Sequence, residues 1–107
     1  MNSSNSMNSI SLSRLVWSEA GEHLYSFEQA ALLTQTSVTV LERFASLGLI
    51  EPVGVMLRSQ DLLRVVKILR LRRDLGLNLV GAAMVLDMAT EIAQLRSQLQ
   101  AYRYARN

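Results

Sequence analysis

The feature that most constrains this chain is a seven-residue apolar repeat near its end. Val85, Met88, Ile92, Leu95, Leu99 and Tyr102 recur at spacings of three, four, three, four and three. On a helix these positions form one narrow seam, and such a seam is complete only against a second helix. The repeat predicts a long C-terminal helix over residues 79–107 whose seam joins two copies in a homodimer. A second reading lays the same stripe on the chain's own domain.

A helix over residues 59–75 is expected just before it. Ser59 is a candidate N-cap, and Asp61 suits the positive end of the helix dipole. The two helices meet at Leu75-Gly76-Leu77-Asn78. Gly76 can take positive φ without the cost a Cβ imposes, and Asn78 can cap the next helix with its side-chain oxygen. Leu62, Val65, Val66 and Leu69 form the expected inward face of the first helix. Arg64, Lys67 and Arg70 recur every three residues on another face. This basic stripe is either ordinary solvated surface or a contact strip for a partner. Arg72 and Arg73 sit in the last turn, where cations favour the C-terminal end of the dipole.

The upstream half is punctuated differently. Met1–Ser11 is small, polar and repetitive, which predicts a flexible tail. Residues 12–78 are then one domain. Leu15-Val16-Trp17, within Leu12–Leu24, fits either an edge strand or a turn of helix. Ser26-Phe27-Glu28-Gln29 has the form of a capping box and opens a helix to about Leu33, with Phe27, Ala30, Ala31 and Leu33 inward. After the polar turn Thr34-Gln35-Thr36, Ser37 caps a helix over Val38–Leu47. Its expected buried stripe is Val40, Leu41, Phe44 and Leu47, and Gly48 ends it. Two short helices across a polar turn are a helix-turn-helix. Pro52 and Gly54 break the next segment, in which Leu49–Ile50 with Val55–Leu57 could form a minimal hairpin.

Composition narrows the functional classes. A chain of 107 residues supports one domain that buries about two-thirds of its unfolded surface. It has no cysteine, which removes disulfides and thiolate chemistry and favours a cytoplasmic setting. No apolar run reaches the roughly 18 residues that a membrane helix needs, so no membrane partner is expected. His23 is the sole histidine, and a metal site needs three or four converging ligands. No nucleophile–base set and no Gly-rich phosphate loop is present, so neither an enzyme nor a cofactor is expected. Net charge is +2, almost all from arginine, since Lys67 is the only lysine. That excess permits nucleic-acid contact without demanding it.

The segments YSFEQAALLTQTSVTVLERFASLGLIEP and RSQDLLRVVKILRLRRDLGLNL, followed by the heptad helix, resemble the MerR-like winged-helix superfamily. The most specific stretches are Leu47-Gly48-Leu49-Ile50-Glu51-Pro52 and Ser59-Gln60-Asp61-Leu62. The resemblance covers about Tyr25–Leu99 and implies a mostly α winged helix-turn-helix with a C-terminal dimerisation helix. Within the superfamily, LRRDLGLNLVGAAMVLDMATEIAQLRSQL is similar to two branches, HspR-type repressors and CbpM-type chaperone modulators. The first implies binding to DNA. The second implies binding to the J-domain of a co-chaperone and restraint of its action on Hsp70.

DNA-binding members carry an arginine and two tyrosines shortly before the Gly-Leu-Ile. Here those positions are Glu42, Arg43 and Phe44. Their wing carries Gly-Tyr-Arg where this chain has Gly54-Val55-Met56. A carboxylate is repelled where an arginine would hold a phosphate. The resemblance therefore implies a modulator that contacts a J-domain co-chaperone, with Arg64, Lys67 and Arg70 as candidate contacts. DNA binding through Arg43 and Arg58 is the disfavoured alternative. Phe44 and Trp17 are expected to pack as core or cover.

Overall fold

The computed structural model describes Val16–Trp17 and residues 22–106. The expected tail at Met1–Ser11 lies outside the described residues. In chain order the elements are β1 (Val16–Trp17), β2 (His23–Ser26), α1 (Phe27–Thr34), α2 (Val38–Ser46), β3 (Met56–Arg58), α3 (Ser59–Leu75) and α4 (Leu79–Arg106). By packing, the chain divides into two compact units inside α3, at Val66 and Lys67.

The first unit is built on its caps. The Ser26 hydroxyl accepts from the Gln29 N–H at 3.1 Å, and Gln29 Oε1 accepts from the Ser26 N–H at 2.9 Å. Both halves of the capping box are thus formed. Ser26→Ala should cost about 1 kcal/mol of stability and Ser26→Gly only a few tenths, read from urea midpoints. Equal losses for both would mean that the hydroxyl contributes no cap. α1 ends at Gln35, which takes φ +57°, a left-handed conformation unusual for a side chain with a Cβ. In return the Thr36 N–H reaches the Ala31 carbonyl at 2.9 Å and closes the turn. The Thr34 hydroxyl bonds to the Ala30 carbonyl at 2.7 Å, so this buried polar group is satisfied. The Val40 N–H donates to the Ser37 hydroxyl at 3.2 Å and starts α2.

The sheet differs from the expected hairpin. It has three strands in the order β1-β2-β3, both pairs antiparallel. Leu24 pairs with Val16 on one side and with Arg58 on the other. Leu49–Ile50 is not a strand; the segment's local pairing is the isolated bridge from Val53 to Met56. The expected partner was the nearest apolar run, but β3 gains more ladder from β2, whose remote position the local pattern does not reveal. β1 settles the strand alternative for Val16–Trp17, while the Trp17 side chain is not among the described groups.

The buried apolar side chains described in this unit are Leu24, Ala30, Ala31, Leu41, Phe44, Ile50, Leu57, Leu62 and Val65. Leu33 and Leu47, expected inward, are 61% and 40% exposed. Leu33 sits at the edge of the apolar arc of α1, and Leu47 lies just past the end of α2 as its C-cap, so a neighbouring element must arrive to cover either. Phe27 and Val40, expected inward, are half-buried, and on α3 Ser59 is the first helical residue rather than a flanking cap. Asp61 reaches back to accept from the Arg58 N–H at 3.0 Å.

In the second unit, Ile68, Leu79, Ala82 and Ala83 are buried. Ile68, not Leu69, is the deepest residue of the last turns of α3. Gly76 has φ +67°, as the bend requires. Asn78 caps α4, accepting from the Gly81 N–H at 2.7 Å. From Asp87 to Arg106 every residue of α4 is exposed.

Candidate functional site

The outward face of α2 follows from its cap and its period. Ser37 sets the helix start, so Leu41 and Phe44 point inward and are fully buried. Thr39, Glu42, Arg43 and Ser46 are then left exposed. Glu42 therefore presents a carboxylate to solvent near the middle of the second helix of the helix-turn-helix. Arg43 stands beside it. Phe44 is fully buried and contributes to the core.

The other candidate cations are divided by their hydrogen bonds. Arg58 folds back: its Nη2 donates to the Glu51 carbonyl at 3.4 Å, while its Nε is buried with no partner among the described residues. Arg64 is half-buried and donates from Nε to the Leu49 carbonyl at 2.6 Å, tying the segment after α2 to α3. A surface strip of Arg64, Lys67 and Arg70 is thus not uniform. Arg64 is engaged in the fold, whereas Lys67 and Arg70 are exposed. Arg58 and Arg64, which belong to different functional readings of the sequence, line one groove of about 480 Å³ with Ile50, Glu51, Gln60 and Asp61. Only the tertiary approach of residues 50 and 51 to the start of α3 reveals that pairing.

The seam residues are where a partner helix could reach them. Val85 is half-buried, and Met88, Ile92, Leu95, Leu99 and Tyr102 are between 50% and 57% exposed. At the far end the Arg106 guanidinium lies 5.6 Å from the Tyr102 ring centroid, with Nη1 3.2 Å from its hydroxyl.

A second concavity, of about 740 Å³, lies between the start of α1, α2 and the turn before β3. Glu28, Glu42, Phe27, Val38, Val55 and Met56 are among its lining residues. Sequence reasoning missed Glu28 and Val38 as surface partners of Glu42, because nothing in the local pattern places them around one hollow. Among the described residues, no group of three or more His, Cys, Asp or Glu side chains could hold a metal ion. Also among them, no single helix is long and apolar enough to cross a membrane.

A helix-turn-helix, a short antiparallel sheet bearing the turn before β3 as a wing, and a long C-terminal helix define a mostly α winged helix-turn-helix protein. Residues 25–103 match the model of the MerR HTH regulatory proteins, and the chain belongs to that family. No solved structure matches it.

Proposed function

We propose that this MerR-family protein is directed at another protein and not at an operator. In this reading it is a chaperone modulator that binds the J-domain of a DnaJ-like co-chaperone and restrains its stimulation of Hsp70. The observation that carries the reading is Glu42, exposed on the outward face of α2. Non-specific attraction to a duplex comes from neutralising phosphates, and a carboxylate at that point opposes it. The mechanism is occlusion: the modulator covers the J-domain surface that must meet Hsp70. Lys67 and Arg70 on α3 are the free cations of the proposed contact strip, with Arg64 fixing the strip's base through its bond to Leu49. The protein acts as a homodimer joined along α4, in the cytoplasm with its partner.

The test is a coupled ATPase measurement. Adding the full chain to a J-domain protein and Hsp70 should suppress the stimulated ATPase rate in proportion to occupancy. Lys67→Glu with Arg70→Glu should raise the concentration needed by about tenfold. An unchanged rate at saturating chain overturns the reading.

A second reading has one observation on its side, the exposed Arg43 on α2. It makes the chain a compact DNA-binding regulator of the HspR kind that uses Arg43 and Arg58. Binding to its own promoter fragment would then fall steeply with salt and be lost in Arg43→Ala with Arg58→Ala. Glu42→Arg discriminates: if α2 approaches DNA, the change raises non-specific affinity several-fold at low salt. Unchanged affinity means that this helix does not reach the duplex.

A further inference from the structure

The concavity beside α2 combines two features that solvated surface seldom brings together. Its apolar wall is Phe27, Val38 and Met56, each half-buried, and Val55, which is 80% exposed. Its charged lining is Glu28 and Glu42, both exposed, and no lysine or arginine is among the described residues that line it. The chain as a whole carries net charge +2, so this negative, apolar hollow runs against the overall balance. Val55 is not isolated: it lies with Phe27, Val38 and Met56 around one hollow, and a contiguous apolar patch rimmed by polar groups marks an interaction site. Two carboxylates with no cation among the lining select the sign of the group that covers it, since electrostatic complementarity sets specificity and on-rate.

We propose that this groove binds a cationic segment of a partner protein carrying an apolar anchor. The anchor enters between Phe27, Val38, Val55 and Met56, and flanking lysines or arginines meet Glu28 and Glu42. The site differs from the strip on α3 in place and in sign. It requires no J-domain: the hollow is present in this chain whether or not the chain meets a co-chaperone. A duplex is the occupant it disfavours, because both charged side chains lining it repel phosphate.

The experiment uses the full chain and a fluorescein-labelled Leu/Lys helical peptide, followed by anisotropy at low salt. Saturable binding is expected. Glu42→Lys and Glu28→Lys should each weaken it about fivefold to tenfold, and the pair more. Val55→Asp should abolish detectable binding. All three side chains are exposed, so circular dichroism should show the variants folded. Lys67→Glu with Arg70→Glu should leave peptide binding unchanged, although the same pair weakens the J-domain contact proposed above. Three results would overturn the proposal. One is equal binding of a Leu/Glu peptide. Another is a folded Val55→Asp variant that binds like the parent. The third is a random-sequence duplex held by the parent chain as tightly as the Leu/Lys peptide.

Discussion

Phe44→Ala should lower the free energy of unfolding by about 3–5 kcal/mol, the cost of removing a buried aromatic ring and leaving a cavity. Phe44 has no exposed surface and is the largest of the fully buried side chains, with Leu41 beside it on the same face of α2. A domain of this size is stable by about 5–15 kcal/mol, so one substitution removes a large share. Urea unfolding followed by far-UV circular dichroism reads the loss as a lower midpoint. Leu33→Ala is the control: that side chain is 61% exposed, and its loss should be under about 1 kcal/mol. Similar midpoints for the two variants would show that Phe44 is not the centre of the core.

Ile92→Asp combined with Leu95→Asp should convert a dimer into a monomer. Light scattering on the parent chain should give twice the 12.0 kDa chain mass, and on the variant the single mass. The reason lies in α4 itself. Beyond Val85 and Leu86 every described residue of that helix is exposed, yet apolar side chains continue along one seam to Tyr102. An isolated helix is marginal in water and draws most of its stability from packing of its apolar face. A second copy of the same seam would supply that packing, and two carboxylates in the middle of it would each be stripped of water without a partner. A parent chain at the single mass removes the dimer. A variant still at the double mass moves the interface elsewhere.

Local chemistry is legible in the residue order. Ser26, Ser37 and Asn78 cap the helices they are expected to cap, because a cap is a bond between residues three apart in the chain. The bend at Gly76 is of the same kind. Leu33 and Leu47 mark where local rules stop. A helical period marks an arc of positions that can be buried, and the arc's edge is filled only if another element lies over it. The sheet makes the same point at longer range. Residues 56–58 have an apolar run close by in the chain, yet they pair with His23–Ser26, across both helices of the helix-turn-helix.

The candidate sites divide in the same way. The exposure of Glu42 and Arg43 can be read from the period of α2 alone, once Leu41 and Phe44 are taken as inward. The fate of the arginines cannot. Arg64 belongs to a regular basic stripe by sequence, but a carbonyl from residue 49 draws it out of that stripe. Arg58 follows the turn before β3 closely in sequence, where the resemblance looks for a DNA contact, but it turns back toward Glu51 in the fold. Glu28 joins Glu42 around one hollow only because α1 and α2 pack side by side.

Residue order alone specified the helices, the caps at Ser26, Ser37 and Asn78, the helix-turn-helix and the apolar seam, since each rests on bonds or periods that close within a few residues. Only the tertiary structure decided which strand pairs with residues 56–58, which arginines stay free, and that two acids share an apolar hollow. Those outcomes depend on distant segments arriving at one place, and no local spacing records their arrival.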